Sequence, residues 1–345
     1  MTWIIDGHQD LAFNAVALQR DLRRPLAEIR RAEGESPAHG EGIATVSLPA
    51  LRAADLRIVL ATLFESPASA DHPLRGYRTT EEAHAQAHEQ LDYYHRLHAE
   101  GMVTLIRDRQ DLENVVTQQL PCPGLVVAME GADPLRTPAD LPSFVDKGVR
   151  LIGLSWRATR YAGSASEPAP LTADGVILLQ EMAQCGIALD ISHLAEQACW
   201  RALEAFPGIV VASHANCRAI VPGERQLSDD LIRAVAERDG VIGLVCYNQF
   251  IRPDWRAEMG KAAVTLADLA AHARHIAELV GVRHIGLGSD LDGGIGRDVI
   301  PREIDSAADL PQFAGALGKA GFTGEEVEAM LHGNWLRVLR RLFGA

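Results

Sequence analysis

The sequence predicts an α/β protein, a (β/α)8 TIM barrel, on three observations. Short apolar, β-branched runs recur along the chain, each is followed by a stretch of helical character, and polar residues suited to chemistry fall where the runs end. Near-continuous apolar strands alternating with helices are the pattern of a parallel sheet covered on its outer face. The length, 345 residues, suits one barrel carrying loop insertions.

The runs are Trp3–Asp6, Ile58–Phe64, Met102–Ile106, Leu125–Glu130, Val149–Trp156, Ile187–His193, Ile209–His214, Val241–Tyr247 and His284–Asp290. That is one more than a closed barrel needs. Met102–Ile106 is the weakest, being short and ending in the charged stretch RDRQD, and without it eight remain. Helices are expected at Thr79–Gly101, Ser228–Asp239 and Thr265–Val280, each opening on a capping hydroxyl. The C-terminal segment GNWLRVLRRLFGA reads as a helix capped by Asn334, with Trp335, Leu336, Val338, Leu339 and Leu342 facing a core. Residues 1–345 are thus expected to form one barrel domain, with insertions at about 20–45, 66–80 and 157–172 and a C-terminal helix.

Composition narrows the function. The formal charge of −13 disfavours nucleic acid, whose phosphates need a basic face. No apolar stretch approaches the roughly 18 residues of a membrane span, and the start MTWIIDGH lacks the basic region and long apolar run of a signal peptide. The expectation is a cytoplasmic protein with no membrane partner, a small-molecule substrate and a possible homodimeric state. Cys122, Cys185, Cys199, Cys217 and Cys246 are odd in number and show no CxxC spacing, so reduced structural thiols are expected.

The chemistry lies at the strand ends. His8 and Asp10 follow WIID, Glu130 ends LVVAME, His193 follows IALDIS, His214 follows IVVAS and Asp290 follows HIGLGS. In a barrel all such ends converge on one mouth, where these folds keep their active sites. Residues i and i+2 of a strand face the same way, so His8 and Asp10 can share one ion. Two further histidines and a glutamate complete a nitrogen-and-oxygen set suited to zinc. Five ligands exceed one tetrahedral site. A pair of Zn2+ ions bridged by Glu130, with His8 and Asp10 on one and His193 and His214 on the other, uses them all. Such a pair can generate a hydroxide near neutral pH and polarise a carbonyl, so a metal-dependent hydrolase is expected. Asp6 and Asp190, inside their strands, read as structural residues able to orient neighbouring ligands. The pairs His84/His88, His95/His98 and His272/His275 read as residues of polar helix faces. No GxSxG elbow surrounds Ser192, Ser213 or Ser289.

On these residues the sequence resembles the renal (membrane) dipeptidase family, the M19 metallopeptidases. The matching pieces are DGHQDL at 6–11, MEG at 129–131, GVRLIGLS at 148–155, LDISH at 189–193, ASH at 212–214, GLGSDLDG at 286–293 and GNWLRV at 333–338. The resemblance implies a binuclear zinc barrel that hydrolyses dipeptides. It implies His8 and Asp10 on one zinc, Glu130 as a catalytic bridging carboxylate, and His193 and His214 on the other zinc. It further implies that Arg225 grips the substrate carboxylate and that Asp290 carries a proton between attacking water and leaving amine. The sequence departs from the family at Trp156, where the dipeptidases place a histidine that contacts the scissile group. An indole can donate one hydrogen bond but cannot carry a proton. Arg157 or Arg160 nearby is the expected replacement charge. The departure keeps open an amidohydrolase-like enzyme acting on another amide or a lactone; a metal-binding barrel without catalysis is a third reading.

Overall fold

The computed structural model describes residues 3–34, 42–68, 76–118 and 122–344. Nine strands are present among them: β1 (Ile4–Gln9), β2 (Leu56–Phe64), β3 (Thr104–Leu105), β4 (Gly124–Glu130), β5 (Val149–Gly153), β6 (Ala188–Asp190), β7 (Val210–Val211), β8 (Ile242–Leu244) and β9 (Ile285–Leu287). All pair in parallel. The path runs β7-β6-β5-β4-β2-β1-β9-β8, and the bridge Ala212↔Ile242 joins its two ends into a nearly closed ring of eight. Helices flank the strands, and the fold is a (β/α)8 TIM barrel. The weak run around residue 104 stands outside the ring. As β3 it pairs only with the start of β4, at Thr104↔Gly124 and Leu105↔Leu125.

Side chains alternate across each strand, so successive residues belong to different layers. Ile5, Ile58, Leu60, Val126 and Ala128 pack with Trp335, Leu336 and Leu339 of the C-terminal helix. Their neighbours Ile4, Val59, Ala61 and Val127 pack with Leu91, Phe144, Leu178 and other helix residues. Trp335 donates its indole N–H to Leu287 O at 2.8 Å. A Cβ at Gly7 or Gly286 would collide with its ring, which is why glycine stands at both places. The tryptophan thus closes the floor opposite the strand ends that matter for chemistry.

The expected helices form as Thr80–Ala99, Asp229–Glu237 and Leu266–Val280, with the hydroxyls of Thr79, Ser228 and Thr265 accepting from the first turn. The C-terminal helix Asn334–Leu342 buries the predicted apolar set, but Asn334 is not its cap. It lies within a helical run continuous with Ala329–Gly333, and its amide donates to Val282 O and Ile285 O at 2.8 and 2.7 Å. His272 also departs from expectation. It is buried, accepting from Cys217 N at 3.1 Å and meeting Ile251 O at 3.1 Å, because its helix face packs inward where backbone groups meet both ring nitrogens. Of the insertions, residues 35–41 and 69–75 lie outside the described residues.

Candidate metal centre

Four strand ends deliver the predicted donors to one point. Glu130 ends β4, His193 follows β6 by three residues, His214 follows β7 by three, and His8 lies within β1 two residues before Asp10. His193 Nε2 stands 2.9 Å and His214 Nε2 3.4 Å from Glu130 Oε1. On the other side His8 Nε2 stands 3.5 Å from Glu130 Oε2 and 3.7 Å from Asp10 Oδ1. The donors fall into two groups able to hold an ion, His8–Asp10–Glu130 and Glu130–His193–His214, with Glu130 common to both. Asp290 Oδ1 lies 3.8 Å from His8 Nε2.

The protein fixes which imidazole nitrogens face this point. Asp190 accepts from Ser192 N, Ser192 Oγ and Ser213 N at 3.0, 2.6 and 2.9 Å, and from the Ser213 hydroxyl. A hydroxyl has one proton, and an ionised carboxylate can only accept. Ser213 Oγ is therefore an acceptor toward His214 Nδ1 at 2.8 Å and His8 Nδ1 at 3.3 Å. This network assigns the proton of both rings to Nδ1 and turns both Nε2 atoms toward the carboxylates. A third grouping, His8–Asp190–His214, is also close enough for an ion. Asp190 is already committed to four donors, so it serves orientation instead.

Electrostatics agree with a cation-seeking centre. His8 is pushed up to about 10: burial opposes its charge, but Glu130, Asp10 and Asp290 outweigh burial. His193 is pushed down to about 4 by burial, with the Arg225 charge assisting. His214 goes well down for the same reasons, with the His8 charge second to burial. Burial drives Asp290 well above the carboxylate range against the pull of His8. His8 Nε2 is a buried nitrogen with no hydrogen-bond partner among the described residues, facing three carboxylates. His193 Nε2 and His214 Nε2 approach to 2.8 Å. Orphaned or crowded nitrogens ringed by carboxylate oxygens are the donor set of divalent-ion sites. The residues present fit a pair of such ions.

The strand ends are held by their own side chains. Asp6 accepts from His8 N at 3.3 Å and from Ser289 N at 2.7 Å, and Asp190 ties Ser192 N to Ser213 N. These carboxylates replace ladder hydrogen bonds where the strands splay. Sequence reasoning extended the strands through His193 and His214, whereas β6 stops at Asp190 and β7 at Val211. Asp290 adopts a left-handed backbone, φ 58°, as does Asp292 at 62°. Gly293 follows, and any Cβ there would collide with the Asp290 carboxylate. The Asp292 carboxylate accepts from Thr45 N, Thr45 Oγ and Val46 N at 2.7, 2.7 and 2.9 Å and faces buried Arg20 at 3.5 Å. The first insertion is thereby strapped to the turn that bears Asp290.

A cavity of about 760 Å3 opens over the centre, lined among others by Asp10, Glu130, His193, His214, Arg225 and Asp290. Arg225 donates to Ser192 O at 2.7 Å and His214 O at 3.0 Å and lies 3.0 Å from His193 Nε2, and its Nε–H is buried without a partner among the described residues. Trp156 and Arg157 line the same cavity. Arg160 does not. It is exposed, and its guanidinium donates to the carbonyl of Arg136. Sequence reasoning did not single out the aromatic lining, Phe13, Phe64, Tyr247 and Phe250. Phe64 ends β2 and Tyr247 closes a predicted run, so the strand-end rule that found the donors could have found both.

A barrel with this donor set at its mouth belongs to the metal-dependent hydrolases, and comparison with known proteins gives the family. The family described as "Membrane dipeptidase (Peptidase family M19)" matches residues 1–343, and the chain belongs to it. An uncharacterised protein from the pqqA 5′ region of Klebsiella pneumoniae is 29% identical over 256 residues, covering 71% of this chain and 91% of that one. Dipeptidase aclJ of Aspergillus oryzae is 27% identical over 63% of this chain and 52% of its own length. Rat dipeptidase 3 is 28% identical over 74% and 51%. This chain thus spans about half the length of those two dipeptidases. Among solved structures, a metallo peptidase from Rhodobacter sphaeroides, liganded with a phosphinate mimic of the dipeptide L-Ala-D-Ala, superposes with TM-score 0.81 at 24% identity over 99% of both chains. The probable dipeptidase PvdM of Pseudomonas aeruginosa gives 0.81 at 16% identity, covering 99% of this chain and 96% of that one. At these identities the structures share the fold. No helix among the described residues is long and apolar enough to cross a membrane.

Proposed function

We propose that this chain is a binuclear zinc dipeptidase that cleaves the peptide bond of small dipeptides. One observation carries the reading: Glu130 presents a different carboxylate oxygen to each of two donor groups. His8 and Asp10 would hold one Zn2+, His193 and His214 the other, and Glu130 both. Bound there, the pair supplies Lewis acidity toward the scissile carbonyl and a water acidified toward neutral pH.

The remaining steps belong to side chains. Arg225, anchored by two carbonyls, presents a guanidinium that lacks an acceptor at Nε and takes the substrate's C-terminal carboxylate. Asp290, beside His8 at the cavity wall, would be held ionised against its burial by cations bound at the neighbouring donors, and so could accept a proton from the attacking water and return it to the leaving amine. Glu130 and Asp190 keep the imidazoles in the orientation this requires. Trp156 bounds the substrate where a proton-carrying imidazole would otherwise stand, so proton transfer is left to Asp290.

The test is exhaustive chelation followed by return of metal, with a panel of L,L- and L,D-dipeptides as substrates. Activity that vanishes and returns with two zinc ions per chain is expected. Full activity in the stripped protein would remove the mechanism. Trp156 also favours a second reading, hydrolysis of another amide or a lactone; N-acyl amino acids and lactones in the same panel separate the two.

A further inference from the structure

The cavity contains a second guanidinium for which the proposed mechanism has no specific use. Arg157 follows Trp156 beyond the end of β5, lines the cavity and is exposed to solvent. Its Cζ stands 5.6 Å from the centre of the Trp156 ring. Trp156 is met edge-on by Phe64 at 5.1 Å, and Phe64 by Phe13 at 5.1 Å, so the cation rests on a packed aromatic row. No carboxylate among the described residues forms an ion pair with Arg157. Glu167, nearby in the loop, accepts from Ala158 N at 3.0 Å. A guanidinium placed on an aromatic platform has lost part of its freedom before any ligand arrives, which favours its pairing with an anion.

Strand order gives this charge a direction. β7, β6 and β5 are neighbours in the ring, and the chain leaving them carries Arg225, His193 and Arg157 respectively. A dipeptide whose C-terminal carboxylate meets Arg225, and whose scissile carbonyl lies beside Glu130 and His193, extends its N-terminal residue toward β5. We propose that Arg157 is a specificity residue that selects substrates with an acidic N-terminal side chain, so that one molecule bridges two guanidinium groups. This rests on the dipeptidase reading above.

The test compares kcat/KM of the zinc-loaded full chain for L-Glu-L-Ala and its neutral isostere L-Gln-L-Ala. A preference of roughly tenfold for the acidic dipeptide is expected from one charge-assisted hydrogen-bonded pair at a partly exposed site. Arg157→Gln should abolish that ratio, and Arg157→Glu should invert it in favour of L-Lys-L-Ala. Equal rates in the wild type, a preference for L-Ala-L-Glu instead, or an Arg157→Gln ratio unchanged from wild type would overturn the assignment. If neither dipeptide is cleaved, the dipeptidase reading fails by itself. Calorimetric binding of the same dipeptides to the same zinc-loaded variants then decides on Arg157: an Arg157-dependent preference for the acidic one supports it, and equal binding overturns it.

Discussion

The Ser213 hydroxyl stands 2.8 Å from Nδ1 of His214, on the side of the ring away from the Glu130 carboxylate. The same oxygen lies 3.3 Å from Nδ1 of His8, so one serine, oriented by Asp190, sets an imidazole in each donor group. Removing such a partner typically costs about 10–100-fold in metal affinity. Ser213→Ala is therefore expected to release zinc to a chelator at roughly ten-fold lower concentration than wild type, with an unchanged circular dichroism spectrum. Metal retention equal to wild type would show that the hydroxyl does not orient the rings.

Asp290→Asn is expected to lower kcat by about 10²–10⁴ while metal content stays at the wild-type value. The amide keeps the size and the tolerance of the left-handed backbone at φ 58°, yet cannot accept a proton. A kcat within a factor of three of wild type would remove Asp290 from proton transfer.

Arg225→Lys tests the carboxylate grip. A lysine keeps the charge but not the planar fork that bonds Ser192 O and His214 O while offering another N–H. KM for a free dipeptide is expected to rise by roughly 10–100-fold, from loss of one charged hydrogen bond. KM for the corresponding C-terminal amide should change much less. Equal shifts for acid and amide would contradict the assignment.

Arg20→Met probes the strap behind the Asp290 turn. Arg20 and Asp292 are each 2% exposed and 3.5 Å apart, and Arg20 also pairs with Glu33 Oε1 at 2.5 Å and bonds Asn14 Oδ1 and Gly42 O at 2.7 Å each. Breaking a buried pair by removing one partner costs about 3–5 kcal/mol. A clearly lower denaturant midpoint is expected, and a midpoint equal to wild type would show that the Arg20 contacts to Asp292 and Glu33 together contribute nothing net.

Particular residues show how far local pattern reaches. His8, Glu130, His193 and His214 were legible because each stands at or just beyond an apolar run, and a run's end is a local property. Asn334 misled because an Asn before an apolar stripe looks like a cap, while here tertiary carbonyls of Val282 and Ile285 claim its amide. His272 misled because a polar residue on a helix is expected to face solvent unless backbone groups happen to satisfy both its nitrogens. Arg157 and Arg160 could not be told apart. Only Ala158 and Thr159 separate them, and only the turn after β5 sends one to the cavity and the other to the carbonyl of Arg136.

The amino-acid sequence by itself determined the barrel class, the strand that each donor follows and the kind of ion its chemistry suits. These depend on periodicity and on residue type. Only the tertiary structure decided that Ser213 serves a histidine in each donor group and that Trp156 stands on an aromatic row under Arg157. The reason is ring closure. Pairing β1 with β9, and the ring closure that sets Ser213 beside His8, brings together residues more than 200 positions apart, and that long-range pairing is not encoded in any single run.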